Sequence, residues 1–225
     1  MNVVIWTKFN LTGSKHGVLK SEAEWREWIP QRFLLWRKLC WPSLLNQTHT
    51  SFSYWFICDD SLKSLTETLD TPKDDRFSLV YPSQFKTLGV ALAGRGKETL
   101  FVRIDSDDAY HKEAVADFVS AEPVLGETLC FMHGYCMCLF SGSVMYWDQS
   151  RSPYYAQLKA SDDLRVNGFP LGCGHRQISN RRVLPGRRFL VTLHSHNDSS
   201  HRGLPQIGNK VNSASGLYAS FGLGN

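Results

Sequence analysis

Long apolar runs are missing from this sequence: no stretch of about 18 apolar residues occurs, which excludes a membrane-spanning helix by length. The opening MNVVIWTKFN has no basic leader ahead of an apolar core and a small-residue cleavage site, so no secretory signal is expected. The six cysteines, at 40, 58, 130, 136, 138 and 173, form no CxxC pair and no regular framework. That pattern argues against a zinc ribbon and against a disulfide-stapled secreted fold. A cytoplasmic protein with reduced thiols is the expectation. Internal repeats and low-complexity segments are absent too, and only the end, GNKVNSASGLYASFGLGN, is rich in Gly, Ser and Asn.

What is there is apolar substance and uneven charge. With 42% hydrophobic residues, a chain of 225 can bury a sizeable core, which suits a single domain over residues 1–225. Residues 151–225 hold ten Lys/Arg against three Asp/Glu, whereas residues 1–150 hold 15 against 18. The basic third is therefore suited to anionic partners.

The first half alternates strand and helix patterns. VVIW reads as a short buried strand, and SEAEWREWI as a helix opened by a capping box of Ser21 and Glu24, with Pro30 expected to break or restart it. SFSYWFI, FSLVYP and TLFVRI are further strands, and SLKSLTETL and HKEAVADFV further helices. Past Glu127, TLCFMHGYCMCLFSGSVMYW loses the helical period and carries a Ser-Gly turn, which predicts antiparallel strands or a mixed-sheet extension. The fold class is α/β: a Rossmann-type mixed sheet with helices on both faces and an antiparallel extension in the C-terminal half.

Ligands of open α/β sheets gather beyond the carboxyl ends of the strands. Two acidic clusters fall there, Asp59 with Asp60 and Asp105 with Asp107 and Asp108. Three carboxylates within four positions repel one another unless something positive sits among them. The D-x-D spacing suits a hard divalent cation, Mn2+ or Mg2+, which takes oxygen ligands and keeps positions open for phosphates. The competing reading is a solvated turn in which Asp107 or Asp108 caps the following helix. FLVTLHSHND places His194 and His196 after a strand-like run, and imidazole is a frequent further ligand. GCGHRQISNRR is a basic loop in which Arg176 is suited to a phosphate, with Arg181 and Arg182 read as solvated surface. ASDDLRVN supplies Asp162 and Asp163, carboxylates of the type a general base requires, with Asp163 favoured.

Taken in order and spacing, TKFN, CWPSLLNQT, FSYWFICDD, RIDSDDAYH and LHSHN resemble the family of "putative rhamnosyltransferases", GT-A-type glycosyltransferases related to glycosyltransferase family two. The likeness runs from about Val3 to about Gly203, and its most specific part is Arg103 to Ala109. It implies a GT-A-like domain that moves a sugar from a nucleotide-sugar donor to an acceptor hydroxyl. Residues 1–120 would be the donor half, 121–205 the acceptor and metal-completing half and 206–225 a tail. Asp107 would bind the metal on the donor's diphosphate, with His194 completing its shell. Asp105 would lie near the ribose, and Asp108 would orient the loop or meet the sugar. Asp59 or Asp60 would hold the base, and Arg103 belongs to the same core. The acceptor would be a glycan or another hydroxyl compound, including an anionic polymer or DNA. Two rivals come from other classes: a metal-dependent phosphoesterase using the D-x-D and H-x-H, and a nucleic-acid-binding domain with Trp147, Tyr154 and Tyr155 as stacking surfaces.

Overall fold

The computed structural model describes residues 1–11, 21–150, 152–163, 181–194, 207–211 and 215–224. Four parallel strands form its first half: β1 (Asn2–Lys8), β2 (Ser53–Ile57), β3 (Phe77–Val80) and β4 (Glu98–Arg103). Their order across the sheet is β3-β2-β1-β4. The chain thus winds outward from β1 through β2 and β3, and β4 pairs with the other edge of β1. That reversal between β1 and β4 opens a crevice at their carboxyl ends.

Helices cover both faces, as the strand alternation demands. Val3, Ile5, Tyr54, Phe56, Leu100 and Val102 face one core, packed against α1 (Glu22–Leu35), α2 (Trp41–Leu45) and α5 (Ala114–Ser120). Val4, Trp6, Trp55, Ile57 and Phe101 face the other, which α4 (Phe85–Arg95) closes through Phe85 and Leu92. A short helix, α3 (Lys63–Thr66), lies between β2 and β3. The capping box is present: the Glu24 N–H donates to Ser21 Oγ at 3.3 Å, and the Ser21 N–H donates to Glu24 Oε2 at 2.6 Å. Pro30 breaks nothing, because α1 runs on through it to Leu35. Pro30 and Arg26 both lie on the exposed side, so water can satisfy the Arg26 carbonyl that the ring leaves unpaired. The helix then widens into a π turn at Trp36–Cys40 before α2.

The second half is a mixed extension, antiparallel in most of its strand pairs and parallel in one. β6 (Thr128–Cys138) pairs with β7 (Val144–Asp148) in a hairpin and with β8 (Tyr155–Ala160), which joins the extension to β4. Along its other edge β6 runs parallel to β9 (Arg181–Leu193). The two-residue strand β5 (Ala109–Tyr110) pairs antiparallel with β9, Ala109 opposite Leu190. The C-terminal segment is built into the sheet: β10 (Ile207–Lys210) pairs with β7, and Phe221, after α6 (Ser215–Ser220), is fully buried. Among the described residues no helix is long and apolar enough to cross a membrane.

Candidate active site

The crevice is anchored from the aromatic core. Trp36 Nε1 donates to Tyr54 Oη at 2.8 Å, Tyr54 Oη donates to Thr7 Oγ1 at 2.7 Å, and Thr7 Oγ1 donates to the Ile104 carbonyl at 3.0 Å. All four residues are buried, so this chain pins the backbone one residue ahead of Asp105. Just beyond the loop, β5 docks on β9, which brings the end of β9 alongside Asp107 and Asp108. Thr192 clamps both: its N–H donates to Asp108 Oδ1 at 2.9 Å and its Oγ1 donates to the Asp107 carbonyl at 2.6 Å.

Three acids that stand together in the chain have three different environments. Asp105 is the most open and receives Arg103 Nη2 on Oδ1 at 2.7 Å. Arg103 also faces the rings of Trp6 and Tyr155, each about 6.0 Å from its guanidinium carbon. Lys8, at the end of β1, shares this field; burial and then the Arg103 charge lower its pKa, against the pull of Asp105. Asp107 is buried between Arg32 and His194: Arg32 Nη2 lies 2.6 Å from Oδ1, and His194 Nε2 lies 3.0 Å from Oδ2. Burial alone would push the Asp107 carboxyl up, but the Arg32 charge and the His194 contact hold it below the usual carboxylate range. Asp108 goes the other way. Burial, with the charges of Asp107 and Asp105 beside it, raises its pKa well above normal, even though Tyr154 Oη donates to its Oδ2 at 2.5 Å.

The crowding of acids is thus resolved by local cations. Arg32 and Arg103 each pair with one carboxylate, and burial beside those two acids shifts Asp108 toward its neutral form. Asp107 Oδ2 and His194 Nε2 also suit a metal, because cis ligands of an octahedral ion with bonds of ~2.1 Å lie about 3.0 Å apart. Among the described residues no group of three or more His, Cys, Asp or Glu is gathered into a cage. Asp107 and His194 are the two side chains of this cluster that could hold an ion.

The remaining expected residues are placed as follows. Asp59 and Asp60 lie at the same edge of the sheet, but β1 separates β2 from β4, so they stand about 10 Å from Asp105 at ordinary strand spacing. Asp59 caps the next turn, accepting the Ser61 N–H at 2.9 Å, while its own N–H donates to Asn10 Oδ1 at 2.9 Å. Asp60, exposed, binds the N–H of Ser83 at 3.1 Å and also its hydroxyl. Asp162 and Asp163 are not brought to the site. The Ser161 N–H donates to the Lys97 carbonyl, ahead of β4, whereas Asp105 follows β4. The strand's length, about 20 Å at ~3.3 Å per residue, lies between them. Asp163 pairs instead with Lys159, at 3.7 Å. Arg176 and His196 lie outside the described residues. Tyr154 and Tyr155 are buried, which removes them as surfaces for stacking bases.

The residue that the sequence reading passes over is Arg32. Its signal is an arginine on the buried stripe of α1, one position before Phe33 and three after Ile29. A charge on an apolar stripe demands a buried partner.

A family model described as "Putative rhamnosyl transferase" matches residues 20–205. No curated protein matches the sequence. Among solved structures, the chain is similar to the crystal structure of S. aureus TarS 1–349, at 17% identity and TM-score 0.39, covering 85% of this chain and 60% of that one. It is likewise similar to the crystal structure of S. aureus TarS 1–349 in complex with UDP, at 15% identity and TM-score 0.40, covering 86% and 61%. The chain therefore spans about three fifths of the length of those structures.

Proposed function

Since the chain belongs to the rhamnosyl transferase family, its model covering residues 20–205, we propose that it transfers a sugar from a nucleoside-diphosphate donor to an acceptor hydroxyl at the β1/β4 crevice. One observation carries this reading: Arg32, Arg103 and Lys8 converge with Asp105, Asp107 and His194 at the carboxyl ends of two adjacent parallel strands. That combination is suited to a diphosphate, whose negative charge grows as the sugar departs. Lys8 and Arg103 would meet the phosphates, Asp105 the ribose, and Asp59 or Asp60 the base at the far side of β1. Asp108, bonded to Thr192 and Tyr154, would hold the loop in place.

Asp107 and His194 would hold Mn2+ or Mg2+. Such an ion, when bound, neutralises charge on the leaving diphosphate. The charge excess of residues 151–225, ten Lys/Arg against three Asp/Glu, favours an anionic acceptor such as a phosphorylated glycan, a polymer or DNA.

The test is thermal stability of wild type and Asp107→Asn with UDP, GDP, TDP, CDP and ADP, each with and without Mn2+. A ligand held only by the native state adds roughly 2.7 kcal/mol at about 100 times its dissociation constant. The expected result is a metal-dependent shift with one nucleotide, lost in the variant. No shift with any nucleotide in the wild type would overturn the proposal.

A further inference from the structure

Arg32 occupies the ground that a metal would share. Its Nη2 lies 2.6 Å from Asp107 Oδ1 and its Nη1 lies 3.5 Å from His194 Nε2, so the guanidinium touches both members of the ligand pair. A divalent ion on that pair would sit within a few ångströms of a fixed positive charge, a repulsion that a low-dielectric site amplifies. Its Nε donates to Ser106 Oγ at 2.8 Å, which ties the side chain to the acidic loop and points the two terminal nitrogens, as a fork, at Asp107 and His194. The indole of Trp28, 5.7 Å from its guanidinium carbon, gives the cation a favourable face beside the site.

Charge balance says when the arginine would move. A divalent ion arriving together with the doubly negative diphosphate of a sugar nucleotide leaves the net charge of the site unchanged, whereas either arriving alone does not. The diphosphate also offers the displaced guanidinium a bidentate anionic partner.

We propose that Arg32 is a displaceable counter-cation: it holds Asp107 and His194 in place before ligands bind, opposes uptake of metal alone, and moves to the diphosphate when metal and nucleotide enter together. This positioning role rests on the reading of Asp107 and His194 as metal ligands. Its consequence is that metal and diphosphate bind cooperatively, each raising the affinity for the other by the same factor.

Calorimetric binding of MnCl2 alone, and of the preformed complex of manganese with a pyrophosphate diester, doubly negative like a sugar nucleotide, tests it on wild type and Arg32→Met. The variant should bind MnCl2 alone at least tenfold more tightly than wild type and the complex at least tenfold more weakly. Opposite signs are the signature, since an arginine that merely supported the fold would weaken both. Equal weakening of the two, or no change in either, overturns the proposal. If Arg32→Met does not fold, Arg32→Lys keeps the charge and loses the bidentate fork. It should bind MnCl2 as weakly as wild type and the complex at least tenfold more weakly, and unchanged binding of the complex is then the overturning result. Wild type that binds neither ligand, or Asp107→Asn that binds both as wild type does, removes the metal reading itself and this role with it.

Discussion

Replacing Gly134 by alanine tests how the mixed extension supports the site. Gly134 lies in β6 directly opposite Phe189 of β9. A Cβ built there falls 2.4 Å from both Cδ2 and Cε2 of the Phe189 ring and 2.5 Å from the Phe189 carbonyl oxygen. Carbon atoms in contact sit ~3.5–4.0 Å apart, so the overlap exceeds about 1 Å. The ring has little room to retreat, being fully buried and stacked on Tyr154 with centroids 4.1 Å apart. The carbonyl belongs to a strand, so moving it disturbs the pairing of β6 with β9. Overpacking a core costs about 1–3 kcal/mol, and with the backbone displaced as well the top of that range, ~3 kcal/mol, is expected. For a domain of this size each kcal/mol shifts Tm by roughly 2–4 °C, which gives a drop of about 6–12 °C. Tyr154 carries the hydroxyl that binds Asp108, so the metal-dependent nucleotide shift should shrink as well. Gly94, in α4 with nothing within 4 Å of a built Cβ, is the control: alanine there should raise Tm slightly. A Gly134→Ala protein melting within about 2 °C of wild type would refute the reasoning.

Two more expectations follow from the site. Asp108 has its pKa raised in the folded protein, so below the ordinary carboxylate range both states are protonated and the group contributes nothing. As pH climbs from ~4, the unfolded chain ionises first and the folded state is progressively disfavoured. Asp108→Asn should therefore gain stability relative to wild type between pH 4 and 7 in urea melts, and a difference independent of pH would contradict the assignment. Asp163 sits beside Lys159 at the opposite end of β4, so Asp163→Asn should show the wild-type metal-dependent nucleotide shift; loss of that shift would place the residue in the site after all.

Much of the layout was legible because local rules acted alone. The strand alternation of VVIW and TLFVRI, the Ser21–Glu24 capping box and the Ser-Gly hairpin each depend on neighbours within a few residues, and each formed as expected. Pro30 misled because a proline's effect depends on whether the carbonyl it orphans reaches water, which the chain reveals only once α1 has docked. The α4 helix carries Gly89 and Gly94, weak helix formers, and is held by burial of Phe85 and Leu92 against the sheet. Asp162 and Asp163 were plausible by type and order, yet antiparallel β8 runs back along β4 and delivers them to its starting end.

The sequence by itself determined the alternation of elements, the run of carboxylates after β4 and the histidine after a strand, since residue type and spacing decide these locally. Tertiary structure alone decided what those carboxylates are. The pairing of β5 with β9 set His194 against Asp107, the docking of α1 supplied Arg32 from 75 residues away, and burial beside Asp107 and Asp105 raised the pKa of Asp108. Charge and burial depend on which groups meet across the fold, and those meetings join residues far apart in the chain.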